Sequence, residues 1–433
     1  MYKKKLAVIG SGISGLSASF FLSQKFDVCL LEKNNYLGGH TRTIKIKENN
    51  KELKIDTGFI VFNENNYPFF KNFLKYLDVE SLKSNMSFSF SIKKINFEYG
   101  GSGFNALFAQ RKNLFSLRYL FLLYEIRKLY NICNNLSLNN DYKDISIEKY
   151  LNINKFSQDI RNFHIYPMIS SIWSSEKNDI KNFPFISFLN FFKNHGLFKF
   201  KNRPIWKYVK EGSDSYINNL ILKKYFSFRT NYNVEKIFRY KNKIILRSTN
   251  GEEIIADKLV LATHADHSLA LIQNPTESEK KILSKFKYNK NKAYLHSDEN
   301  YMPKNKAAWS SWNFIGDHKI NSKFSLTYWM NNLQKIQSNK NYFVTINPKT
   351  VPKNVYDYTV FEHPIFNLET FEAQKNISKI QGFLNTYYCG SYCGYGFHED
   401  GIQSAAYIAK IFDIRLPWKI EKNYENRLYY PEL

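Results

Sequence analysis

A chain of 433 residues with 43% hydrophobic content can bury a large core and carry more than one domain, which excludes a disordered polymer. Its formal charge of +24 comes from lysines scattered along the chain. That pattern fits either a lysine- and asparagine-rich composition or a positive field toward an anionic membrane surface, while no RNA-binding signature or Cys/His finger points to nucleic acid.

The start, MYKKKLAVIG, imitates a secretory leader, but glycines and serines interrupt its apolar run at once. Four cysteines, Cys29, Cys133, Cys389 and Cys393, are too few for a disulfide framework in a chain this long and fit a reducing compartment. The expectation is a cytoplasmic protein.

Leu6 to Ile9 reads as a buried parallel strand. Gly10, Gly12 and Gly15 follow, then a helical pattern carrying Leu16, Ala18, Phe21 and Leu22, then a second apolar run ending in Glu32. The spacing has a physical cause. Gly10 permits a tight turn, Gly12 lets backbone approach a pyrophosphate, and Gly15 lets the helix pack on the strand. The helix N-terminus offers free N–H groups to phosphate. Glu32, 22 residues beyond Gly10, can accept from ribose hydroxyls and favours an adenosine ribose without a 2′-phosphate. A glycine doublet, Gly38-Gly39, opens GGHTRT, and DTGFIVF begins at Asp56.

Further along, GSGFNAL at 101–107 lacks a third glycine and reads as a turn, so no second dinucleotide unit is expected. The run YLFLLY at 119–124 falls far short of the ~20 residues that cross a bilayer. Gly212-Ser213 precedes a helical pattern. Asn250-Gly251 between alternating apolar residues signals a two-residue hairpin, and KLVLAT after it is another buried strand.

The last dense stretch is CGSYCGYGFHEDGIQSA, Cys389 to Ala405. His398, Glu399 and Asp400 are about 100° apart on a helix and cannot share one ion, and the two cysteines lack CxxC spacing. No metal is expected. Gly390, Gly394 and Gly396 allow close backbone approach instead, and an amphipathic helix from near Gly401 would point its positive end at a cofactor.

Taken together, the stretches GLSA, LGGHTRT, DTGFIVFNENNYP, FAQRKN, IWSSE, FFKNHGL, RPIWKYVKEGSDSYI, VLATHAD, WSSWN, TYWMNNLQ and GYGFHEDGIQS resemble one family of the amine-oxidase and phytoene-desaturase superfamily of FAD enzymes. It is the bacterial family of predicted NAD/FAD-binding proteins. That superfamily commonly places arginine directly after the doublet; here His40 stands there and Arg42 comes two residues later.

The resemblance implies an α/β fold: a Rossmann-like FAD-binding domain, parallel sheet plus β-meander, interleaved with an α+β substrate domain. The first comprises 1–81, 206–269 and 381–433, and the second 82–205 and 270–380. It assigns to FAD the phosphate loop Gly10, Gly12, Ile13, Ser14 and Gly15, then Glu32 and Lys33. Gly38, Gly39, His40, Thr41, Arg42 and Gly58 follow around the pyrophosphate and ribityl chain. Val234 would face the adenine, with Ala262 and Thr263 at the end of the returning strand. Gly390, Glu399, Asp400 and Ile402 complete the set, one of the two acids accepting from a ribityl hydroxyl. His264 and His267 belong with the cofactor loop.

A flavin takes a hydride at N5, so the protein must orient a C–H bond and exclude water. Aromatic residues make up 17% of the chain. Trp173, Trp309, Trp312, Tyr328 and Trp329 together suit an apolar pocket, although each alone also fits a core role. His195, His398, Trp309 and Tyr328 are the candidates for contact with flavin or substrate. The expected activity is hydride removal from an apolar substrate, an unsaturated fatty-acyl or isoprenoid lipid. The alternatives are amine oxidation and redox-neutral fatty-acid double-bond isomerisation. Peripheral contact with an anionic membrane, at its inner face, is the partner expectation.

Overall fold

The computed structural model describes residues 3–136, 142, 145–173, 180–316, 324–421 and 424–430. Ser174 to Glu176 of the IWSSE stretch lie outside them.

The apolar runs pair into a five-stranded parallel sheet. Its order is Ser227–Arg229, Asp27–Leu31, Lys5–Ile9, Lys258–Leu261, Thr386–Tyr388. Successive residues of these strands face opposite sides, which divides the core. Leu6, Val8, Leu30 and Val260 face the first helix, Ile13–Leu22, whose residues are all buried. Ala7, Ile9, Leu31, Leu259 and Leu261 face a three-stranded antiparallel meander, Val234–Arg239, Ile244–Ser248 and Glu253–Ala256. Its turn is at Asn250-Gly251 as expected, with Gly251 at φ +84°.

The C-terminal helix, His398–Ile411, lies against the first helix. Gly401 makes this possible: a Cβ there would sit 2.7 Å from both Ile13 Cγ2 and Ser14 Oγ. The helix begins three residues before the expected Gly401, because the Asp400 carboxylate accepts the Phe397 N–H and closes the first turn.

A second sheet has seven strands in the order Val355–Ile365, Lys287–His296, Phe343–Ile346, Ser325–Trp329, Trp312–Gly316, Phe88–Ile92, Phe97–Gly100. It is antiparallel except where Trp312–Gly316 runs parallel to Phe88–Ile92. Helices Leu117–Asn135, Tyr166–Trp173 and Phe185–Asn194 share a large aromatic core with it. Between the two sheets, the hairpin Thr43–Glu48/Lys51–Asp56 and the short strands Phe62–Asn63, Trp206–Val209 and Ser81–Lys83 connect the halves. Among the described residues no helix is long and apolar enough to cross a membrane. The fold class is the one expected from the sequence.

Candidate functional site

The glycine loop leaves the first strand at Gly10, φ +96°, whose N–H donates to Leu31 O across the next strand (2.9 Å). A Cβ on Gly15 would fall far inside contact distance of Gly10 O. Gly12 differs: a Cβ there would meet nothing within 4 Å. Gly12 is the N-cap of the first helix and supplies no side-chain cap, so open space lies at a helix N-terminus suited to phosphate. Gly39, φ +59°, bounds that space from the other side, its would-be Cβ 3.2 Å from Gly12 Cα.

Glu32 is buried at the rim. Its carboxylate accepts from Ser11 N–H (3.0 Å), Ser11 Oγ (2.6 Å), Asn34 N–H (2.9 Å) and Asn34 Nδ2 (2.8 Å). A carboxylate has about four acceptor positions, so a ribose hydroxyl would bind there only by replacing a Ser11 or Asn34 donor. Lys33 is exposed beside it. Val234 is buried at the start of the meander, and Ala262 and Thr263 pack against Gly10.

The doublet loop is pinned from three directions. Gly38 N–H donates to Ser11 O at 3.0 Å. Thr41 Oγ1 lies 2.6 Å from Tyr216 OH and 2.9 Å from His398 Nε2. Gly58 lets the next segment approach the His40 carbonyl and the Phe361 ring so closely that no Cβ fits. His40 stacks on Phe361 (centroids 4.9 Å), and its Nε2 is buried without a partner. Burial, with His363 nearby, holds that imidazole neutral. Arg42 turns away and makes a two-pronged ion pair with Asp357 of the second sheet, so it ties the halves together. His264 Nδ1 lies 3.2 Å from Glu362 Oε2, and this contact pulls the Glu362 carboxyl down to about 2. His264, Asp266 and His267 bring donor atoms within 4.8 Å of one another, a spacing that could hold a metal ion; Lys290 Nζ, 3.8 Å from Glu362, stands beside them.

At the C-terminal segment one expectation is corrected, that for Glu399. Glu399 accepts from Phe69 and Phe70 N–H (both 3.0 Å) and from Gln403 Nε2, which makes it the cap of helix Pro68–Tyr76. Asp400 also faces inward, one oxygen on Phe397 N–H and the other toward Gly394 and Arg427 Nη1, at 3.7 Å. Glu399 is thus engaged by backbone and Gln403, whereas Asp400 Oδ1 is buried without a hydrogen-bond partner. Burial raises both, Glu399 to about 7 and Asp400 to about 6, against the pull of Arg427. Gly390 N–H donates to Ser404 Oγ (3.0 Å), and Ile402 is core.

The four catalytic candidates have different partners. His398 stacks on Phe59 at 3.6 Å, and burial lowers its pKa to about 3. It is a neutral hydrogen-bonding group that joins the C-terminal helix to the doublet loop. His195 caps helix Phe185–Asn194, Nδ1 at 2.9 Å from Phe191 O, ring against Phe191 and Trp206, Nε2 buried without a partner. Tyr328 meets Trp312 edge-on and shares a core with Ile60 and Val61. Trp309 donates to Pro303 O (2.8 Å) and packs edge-on against Trp329.

Three residues of weight escaped the sequence reading. Asp56 is a hub, accepting from Thr43 Oγ1, Ser213 N–H, Ser213 Oγ and Gln334 Nε2. The DTG and GS stretches are therefore parts of one junction. Tyr216 supports Thr41. Arg427, wholly buried, lies over Tyr67 and Tyr395 and donates to Asn66 O. Nothing in the sequence around Arg427 marks it.

The family model described as an NAD(P)-binding Rossmann-like domain matches residues 8–77. No curated protein sequence matches the chain significantly. Among solved structures, the chain is similar to a CLA-producing fatty acid isomerase from P. acnes (TM-score 0.66, 13% identity, 94% of this chain and 99% of that one). It is similar to cyclohexylamine oxidase from Brevibacterium oxydans IH-35A (0.66, 12%, 95% and 100%). A putrescine oxidase bound to putrescine matches at 0.65 and 13%, over 95% and 99%. The chain thus has the fold of these enzymes from end to end, with a Rossmann-like dinucleotide-binding unit at its front.

Proposed function

We propose that the protein is an FAD-dependent oxidoreductase that takes a hydride from an apolar substrate, an unsaturated fatty-acyl or isoprenoid lipid. The observation that carries the cofactor is the open face of Gly12 at a helix N-terminus, with Gly39 opposite and Glu32 at the rim. The loop N–H groups would hold the pyrophosphate, and Glu32 the ribose. His40 Nε2, buried and unpartnered, offers a further polar contact. When bound, FAD supplies the hydride acceptor.

The chain's own contribution is orientation and dryness. Phe59, Phe361 and Phe397 surround the doublet loop and the start of the C-terminal helix, together with His40 and His398 in neutral form. Such a wall offers apolar contact to a carbon chain. Segments 82–205 and 270–380 build the substrate side. A second reading, redox-neutral double-bond isomerisation, draws on the likeness to the fatty acid isomerase.

Anaerobic mixing of holoprotein with unsaturated acyl lipids, isoprenoids and amines, followed by flavin absorbance, tests both readings. Bleaching by a lipid supports hydride removal. Lipid conversion without an electron acceptor supports isomerisation. Bleaching by an amine alone overturns the proposal.

A further inference from the structure

The helix Leu117–Asn135 divides into two faces. Tyr119, Leu122, Ile126, Leu129, Tyr130 and Cys133 are buried in the aromatic core. Leu117, Leu120, Phe121 and Tyr124 recur at i, i+3, i+4 and i+7, so they form one stripe. That stripe points to solvent. With Phe104 and Phe115 just upstream, six large apolar side chains are between 40% and 88% exposed within 21 consecutive residues. Exposed apolar residues scattered singly need no explanation, but a contiguous face marks an interaction surface.

The charges around it have one sign. Residues 104–135 carry five basic residues and one acid. The acid, Glu125, is buried and accepts from Ser157. Arg118 is matched by Asp159. Arg111, Lys112, Arg127 and Lys128 are exposed, and no carboxylate pairs with them among the described residues. Arg127 and Lys128 continue the stripe by one turn. An apolar stripe flanked by unpaired cations fits the boundary between the headgroups and acyl chains of an anionic bilayer. A second copy of the chain fits poorly, because a symmetric contact would set these cations against one another.

We infer that the face formed by Leu117, Leu120, Phe121 and Tyr124, with Phe115 beside the N-cap of the same helix, docks the protein on an anionic membrane, lying in the interface without crossing it. The inference does not depend on the proposed chemistry, since it concerns attachment and holds whether or not a lipid is the substrate.

The test is flotation of the full-length protein with vesicles of phosphatidylglycerol and phosphatidylcholine, and of phosphatidylcholine alone, at low and high salt. The wild type is expected to float with the anionic vesicles. The triple variant Phe115→Ser, Leu117→Ser, Phe121→Ser, whose side chains leave the core untouched, should lose about tenfold or more in partitioning at both salts. Arg127→Glu with Lys128→Glu should lose about tenfold at low salt and much less at high salt. Unchanged circular dichroism melting shows that the variants fold. Failure of the wild type to float, or equal flotation of the triple variant, overturns the inference. So does a wild-type dimer that the triple variant reduces to monomer, which would make the face a protein interface.

Discussion

The two halves of the molecule obey different kinds of rule. In the dinucleotide half, function sits in the backbone: Gly12 leaves space, Gly15 removes a clash, and Gly10 and Gly39 take positive φ. In the seven-stranded half and its helices, the packing is by side chains, mostly aromatic around the helices, none in a position that a spacing rule identifies. A backbone site tolerates almost no change at a few positions, while a side-chain wall spreads tolerance over many. The first half consequently carries a recognisable dinucleotide signature, and the second, which we propose faces the substrate, carries no comparable mark.

The largest effect expected is at Gly15. Gly15→Val drives a side chain into the Gly10 carbonyl, and should cost about 3 kcal/mol or more together with all flavin binding. Gly12→Ala sharpens the contrast, because its methyl meets no protein atom. Stability should hold within about 0.5 kcal/mol while FAD affinity drops, as read by denaturant unfolding of apoprotein and by flavin titration. Equal losses in both measurements would erase the distinction between space kept for a ligand and space kept for the fold.

Next comes Arg427→Met. It leaves Asp400 without its buried cation, and breaking such a pair costs about 3–5 kcal/mol. Thermal unfolding measures this, and a loss below about 1 kcal/mol would mean that Arg427 does little for the buried acids around it.

Smallest at any one pH step is a slope. His398 has its pKa lowered from 6.5 to about 3 by burial. A lowered base means that the unfolded chain binds the proton first, so the contribution is present above pH 6.5 and lost as pH falls toward 3. In His398→Gln the acid limb of stability should be shallower by up to ~1.4 kcal/mol per pH unit. An unchanged limb would mean that the imidazole ionises in place.

What was legible before the structure followed from the same division. Strand, glycine loop, acid and doublet lie within 60 residues and obey local geometry. The hairpin at Asn250-Gly251 is as local. Glu399 misled because its partners, Phe69 and Phe70 N–H, are about 330 residues away, and no spacing rule foresees a carboxylate capping so distant a helix. Asp56 was visible as a residue but not as a hub, since its donors come from three separate segments. His195, Trp309 and Tyr328 stand out in the sequence only by residue type, and type cannot say which neighbour a ring will meet.

The strand Thr386–Tyr388 that completes the parallel sheet has a consequence for biosynthesis. Its neighbour, Lys258–Leu261, leaves the ribosome roughly 125 residues earlier, which at 5–20 residues per second is about 6–25 s. Throughout that interval Leu259, Val260 and Leu261 present an unpaired apolar edge, the kind of surface that recruits chaperones or other nascent chains. The contact of His398 with Thr41 forms later still. The site proposed for FAD is therefore complete only after the C-terminal helix has emerged.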